Sequence, residues 1–143
     1  NDARMVTLFD TNVLIHAFDP GSSFHGWADS SLFEALSGDG AAVNPVILAE
    51  LCVGETAPDS VQGNLEHLGV VFLDLPCAVS RRAAEAFALC LEERRRSGVG
   101  IPQKTPLPDF FIGAHAELLN LPLATADTSR YRTYFPSVKL VTP

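Results

Sequence analysis

Apolar and polar positions fall along this chain in blocks of two kinds. Short continuous apolar runs at 6–9, 41–43, 70–73, 121–125 and 138–141 have the form of strands buried on both faces, as in a parallel sheet. Between them lie longer stretches whose apolar residues recur every three or four positions, which is helical spacing. The clearest covers 24–36, with Phe24, Trp27, Ala28, Leu32, Ala35 and Leu36 in register. Further helices are expected through Leu14 and Ala17, from 46 to about 54 with Leu48, Leu51 and Cys52 on its buried side, from 60 to 68, from about 78 to 97, and from 109 to about 119. Turn-forming clusters separate the blocks: Pro20-Gly21-Ser22-Ser23, Ser37-Gly38-Asp39-Gly40, the corner Asn44-Pro45, and the glycine- and proline-bearing loop 98–108. Strands alternating with helices build parallel β-α-β units. The expected fold is therefore α/β, a three-layer sandwich in which helices flank a central, mostly parallel sheet of four to five strands. No repeat or linker interrupts the pattern, so one domain over 5–143 is expected; residues 1–4 precede the only methionine, Met5, and are expected to be additions to the native chain.

Composition narrows the class. At 143 residues, 47% hydrophobic and 19% charged, the chain can bury a full core and is far from the disordered range. So few charges also point to a surface partly covered by a partner. Cys52, Cys77 and Cys90 show no C-x-x-C spacing; neither a disulfide framework nor a zinc motif is indicated, and all three are expected as reduced core residues. His16, His25, His67 and His115 lack the spacing of a transition-metal site. No apolar run approaches the roughly 18 residues of a membrane span, and no secretory signal is visible, so the cytoplasm is the expected location. The formal net charge of −7 argues against a general nucleic-acid binder.

Candidate chemistry rests on four acids. Asp10 closes the first apolar run and is followed by Thr11 and Asn12; it is either a site residue at a strand end or the N-cap of the next helix. Glu50 lies mid-helix between Ala49 and Leu51, and the sequence leaves open whether it faces inward or solvent. Asp109 stands at a helix start, where a cap is the plain reading. Asp127 comes two residues after the fourth strand. Asp74 also ends a strand, but beside Leu75-Pro76 it reads as a turn residue. If the first and fourth strands are neighbours, both strand-end carboxylates open on one edge, and the helix start at Asp109 faces it too. Converging carboxylates raise one another's pKa and oppose folding unless a cation lies among them. Hard divalent ions such as Mg²⁺ take oxygen ligands of this kind and leave room for water and phosphate. Thr11, Asn12 and Thr125 would orient the acids.

The motifs D-T-N-x-L at 10–14, A-E-L at 49–51, P-D-x-x-I-x-A-x-A at 108–116, and L-x-T-x-D followed by R-Y-R-T-Y-F-P within 123–136 resemble those of PIN-domain ribonucleases, and among these the VapC-type toxins of toxin–antitoxin modules. The resemblance runs from Met5 over nearly the whole chain, with the four acids in the family's order. It implies a Mg²⁺ or Mn²⁺ site built from Asp10, Glu50, Asp109 and Asp127, with Asp10, Asp109 and Glu50 on one ion. It further implies endonucleolytic cleavage of RNA leaving 5′-phosphate and 3′-hydroxyl ends, homodimerisation, and inhibition by a small cognate antitoxin. Many relatives carry Asn at the place of Asp127 and an acid three residues later, where this chain has Arg130. His115 falls where relatives often have a small residue and is left out of the site.

An RNA substrate would need cations and stacking surfaces. Arg130 and Arg132, with Lys104 or Arg94–Arg96, are the expected phosphate contacts, although cations in a last helical turn also offset the helix dipole. Tyr131, Tyr134 and Phe135 either stack on bases or belong to the core. Four of the 17 acids belong to the proposed site, so 13 acids against 10 basic residues remain elsewhere. Three other readings compete: a PIN nuclease that is not a toxin, a non-catalytic PIN-like interaction module, and a haloacid-dehalogenase-like phosphohydrolase using Asp10 as nucleophile. The module would be expected to have lost an acid, and the phosphohydrolase would want an acid at the position of Asn12.

Overall fold

A computed structural model describes residues 5–53, 55–98 and 107–143. Residues 1–4, Lys104 and most of the expected loop 98–108 lie outside the described residues.

Five short strands form one wholly parallel sheet in the order β3-β2-β1-β4-β5. They are β1 (Thr7–Phe9), β2 (Ala41–Val43), β3 (Val71–Phe72), β4 (Leu123–Ala124) and β5 (Leu140–Val141). The helices are α1 (Thr11–Ala17), α2 (His25–Ser37), α3 (Pro45–Cys52), α4 (Pro58–Leu68), α5 (Cys77–Arg96), α6 (Leu107–Leu119) and α7 (Ser129–Tyr134). The sheet is the central layer, flanked by helices. Leu8, Phe9, Ala42, Val43, Leu123 and Ala124 are at most 1% exposed, which is why the central strands are continuous apolar runs rather than alternating ones.

The strand order places the site. The chain runs outward from β1 through β2 to β3, then crosses to the other side of β1 to lay down β4 and β5. That reversal makes the gap between β1 and β4 a topological switch point, and the crevice beyond the carboxyl ends of such strands is where open parallel sheets bind ligands. Register fixes the depth: Leu8 pairs with Leu123 and Phe9 with Ala124, so Asp10 and Thr125 emerge side by side.

Local chemistry explains the element ends. Asn44 caps α3 by accepting from the Ile47 amide at 2.9 Å, with Pro45 in the first turn where its missing N–H costs nothing. Gly69 ends α4 in the left-handed region at φ 91°. A Cβ on Gly113 in α6 would come within 2.4 Å of the Phe135 ring, so only glycine lets α6 approach the segment after α7. Arg82 of α5 binds Glu117 of α6 through two nitrogens, at 2.5 and 3.2 Å, and donates to the Tyr134 carbonyl at 2.9 Å.

Three expectations need correction. Of the three cysteines only Cys90 is buried; Cys52 is half-buried and Cys77 is exposed at the start of α5. In α3 the fully buried residue is Ile47, whereas Leu48, Leu51 and Cys52 lie at the edge of the core. The tail after Asp127, read only as a mix of arginines and aromatics, forms α7.

Candidate active site

Asp10 is the centre of the site, 3% exposed at the mouth of the switch point. The two sequence readings of this residue turn out to be compatible, because it caps α1 and faces the crevice at once. Its Oδ1 accepts from the Thr11 amide at 2.8 Å. Its Oδ2 accepts from Thr125 Oγ1 at 2.9 Å, Tyr131 Oη at 2.9 Å and Asn12 Nδ2 at 3.2 Å. All four donors are neutral. Burial, followed by the charge of Asp109, pushes the carboxyl up to about 6, against the pull of the Thr125, Tyr131 and Thr11 hydrogen bonds. Oδ2 is therefore crowded with donors, while Oδ1, with one, keeps a lone pair free.

The other acids stand around it. Glu50 is half-buried and its Oε1 accepts from Thr11 Oγ1 at 2.6 Å, so the residue left open by the sequence turns toward the site. Asp109, in the first turn of α6, is paired with Arg130. Burial raises the Asp109 carboxyl, Arg130 opposes that rise, and the charges of Glu50 and Asp127 add to it. Asp127 is exposed, and its Oδ1 accepts from Ser129 Oγ at 3.3 Å. The backbone around Asp127 is tied to the same cluster: its amide donates to Thr125 Oγ1 at 3.1 Å, and the neighbouring Ala126 amide donates to Asn12 Oδ1 at 3.1 Å.

Two residues named from the sequence make contacts that it did not foretell. Tyr131, assigned there to stacking or the core, is 2% exposed and aims its hydroxyl at Asp10. Burial and the charge of Asp10 push its phenol up, so it remains a donor. Arg130, expected on RNA phosphates, is engaged with Asp109 and lies over the Phe110 ring, 5.8 Å from its centroid. Arg132 is exposed. His115, left out of the site, is fully buried: Asn44 Nδ2 donates to its Nδ1 at 3.0 Å, and burial pushes its pKa down.

The chemistry of the donors suits a hard divalent ion, being carboxylate oxygen throughout with no sulfur among them. Among the described residues, no three acids or histidines meet closely enough to hold one ion by themselves. Asp109 is turned to Arg130 and Glu50 to Thr11, so the expected arrangement of Asp10, Glu50 and Asp109 on a single ion is looser here. One or two carboxylates with water or phosphate oxygens completing the shell is the usual Mg²⁺ arrangement in phosphate chemistry.

The PIN domain family matches residues 7–136. The chain belongs to this family. Solved structures agree in fold with this PIN domain. A VapBC2 complex from Rickettsia felis bound to a DNA fragment from its promoter is 19% identical, with 97% of this chain and 99% of that chain covered at a TM-score of 0.64. A toxin–antitoxin complex from Klebsiella pneumoniae is 25% identical, with 96% and 97% covered at 0.58. VapC20 of Mycobacterium tuberculosis, a toxin that cleaves the sarcin-ricin loop, is 13% identical, with 93% and 98% covered at 0.62. No curated protein matches the chain in sequence.

Proposed function

We propose that this PIN domain is a Mg²⁺-dependent endoribonuclease, the toxin of a toxin–antitoxin pair, acting in the cytoplasm as a homodimer and held inactive by a cognate antitoxin. The observation that carries this reading is Asp10: a carboxylate buried at the switch point, raised to about 6 by burial and by Asp109, and bound, among the described residues, by neutral donors alone. Such a group gains most from a cation. Asp10 and Asp109 would hold the ion, with Glu50 and Asp127 adding negative charge around it; Mn²⁺ would suit the same oxygens.

A divalent ion bound there supplies Lewis acidity toward a phosphodiester oxygen and a water acidic enough to attack phosphorus near neutral pH. The chain's own residues set the stage for that step. Thr11 joins the Asp10 cap to Glu50, Asn12 ties Asp10 to the loop after β4, and Thr125 and Tyr131 hold Asp10 Oδ2 in one orientation. Arg132 and the α5 terminus at Arg94–Arg96 offer cations to flanking phosphates.

A groove on the surface suits the partner. Ile15, Phe18, Leu51, Ala57, Val61 and Leu65 line a cavity of about 420 Å³ between α1, α3 and α4. Ile15 and Phe18 are each 52% exposed and Val53 is 80% exposed, a density of apolar surface that suits the apolar face of an antitoxin helix. Similar folds are solved as toxin–antitoxin complexes, which supports this assignment.

The test is cleavage of single-stranded RNA by the purified protein with Mg²⁺, using Asp10→Asn and Asp109→Asn, which keep shape and remove charge. Both variants should lose cutting. Undiminished cleavage by both would overturn the assignment.

A further inference from the structure

The Arg130–Asp109 pair does not fit the remainder of the acid cluster. Among the described residues, every other contact to the site's carboxylates comes from a neutral donor, yet here a guanidinium lies against an acid proposed to bind metal. The arginine is held from two sides. It sits in the first turn of α7, next to the Tyr131 that grips Asp10, and its guanidinium lies over Phe110, one residue beyond Asp109. Neither side chain is sealed in, with 25% and 30% of their surfaces exposed.

There is also somewhere for the guanidinium to go. Arg130 borders an open cavity of about 580 Å³ between α5 and α7, lined by Arg94, Ser97, Ser129, Thr133 and Tyr134 as well. An arginine swung off Asp109 would remain hydrated there beside hydroxyl groups.

Resting on the nuclease reading above, we propose that Arg130 is a built-in counter-cation for Asp109, which neutralises the acid cluster in the ion-free protein and must be displaced before a divalent ion can take that carboxylate. The physical basis is competition. An ion arriving at Asp109 must break a charge-assisted hydrogen bond and approach a fixed positive charge. Arg130 thereby sets the divalent-ion concentration at which the site fills, and the protein is quiet at low Mg²⁺ without any partner bound.

The experiment is Mn²⁺ binding in the absence of RNA, followed by electron paramagnetic resonance and by isothermal titration, on wild type, Arg130→Gln, Arg130→Lys and Asp109→Asn. Arg130→Gln should bind Mn²⁺ roughly three- to tenfold more tightly than wild type, the range of a partly exposed ion pair. Arg130→Lys, which keeps the charge, should stay near wild type, and Asp109→Asn should bind more weakly than either. A purely structural ion pair would not make the Arg130→Gln affinity rise. Unchanged or weaker binding by Arg130→Gln, with Asp109→Asn still impaired, would overturn the counter-cation role and leave the metal site standing. Absence of Mn²⁺ binding in both wild type and Arg130→Gln would overturn both, whereas binding by Arg130→Gln alone would support the proposal in its strongest form.

Discussion

Asp10 and Glu117 are both carboxylates drawn into the body of the protein, and they are satisfied in opposite ways. Glu117 meets the planar fork of Arg82, with two nitrogens on two oxygens, and the same guanidinium reaches on to the Tyr134 carbonyl and lies 5.0 Å from the Phe135 ring centroid. Its charge is cancelled and its geometry used up, so it clamps α5, α6 and the end of α7 together. Asp10 is more deeply buried, receives four hydrogen bonds and, among the described residues, no cation, and is pushed up to about 6 by burial and by Asp109. The contrast separates architecture from chemistry. A buried carboxylate that the fold has neutralised is a fastener, and one that the fold has oriented but left charged is a seat for something the chain does not supply.

The sharpest way to break the contrast is to remove each charge in turn. Asp10→Asn and Asp109→Asn should each lower RNA cleavage by about a hundredfold or more in a gel assay at saturating Mg²⁺. The same assay on Arg82→Met should show near-normal activity, while thermal unfolding reveals a loss of about 2 kcal/mol from the orphaned Glu117. If Arg82→Met lost activity as fully as Asp10→Asn at a temperature where it is folded, the division between clamp and seat would fail.

A smaller effect sharpens the picture within the site. Tyr131→Phe deletes one donor to Asp10 Oδ2 and leaves the ring in the core. Activity should fall about tenfold. Because that hydrogen bond favours the ionised carboxylate, its loss raises the Asp10 pKa further, and the acidic limb of the pH–activity profile should move to higher pH. A profile that stays in place would make Tyr131 a packing residue only.

Much of this arrangement was legible in the sequence. The strand ending in Asp10 announced itself because a run as apolar as Val6-Thr7-Leu8-Phe9 does not end in an acid without reason, and the alternation of runs and helices yielded the parallel sheet. What stayed hidden was contact at long range. Whether Glu50 faced the site was undecidable from Ala49 and Leu51, because the deciding atom is Thr11 Oγ1, which lies 39 positions away. Tyr131 was obscured for a related reason: α7 has six residues, too few to show a period, and its hydroxyl finds Asp10 across 121 positions. The cysteine expectation failed because Cys77 opens α5 at its exposed end, and burial follows helix phase rather than residue type.

Asp10 also links the site to stability. Its carboxyl is raised in the folded protein from an ordinary 3.8 to about 6, so the fold disfavours the charged form. The stability it contributes is full below about pH 4 and is lost as pH rises toward and through 6, a cost of about 2–3 kcal/mol at neutral pH without an ion. An ion that binds only the folded state returns stability in proportion to its occupancy. The most direct measurement is therefore the melting temperature of wild type and Asp10→Asn at pH 7, in EDTA and in millimolar Mg²⁺. Wild type should rise by roughly 3–8 °C with Mg²⁺, while Asp10→Asn should melt above wild type in EDTA and respond little to the ion. A wild type indifferent to Mg²⁺, or a variant that responds to it equally, would contradict the claim that this carboxylate is a seat for a divalent cation.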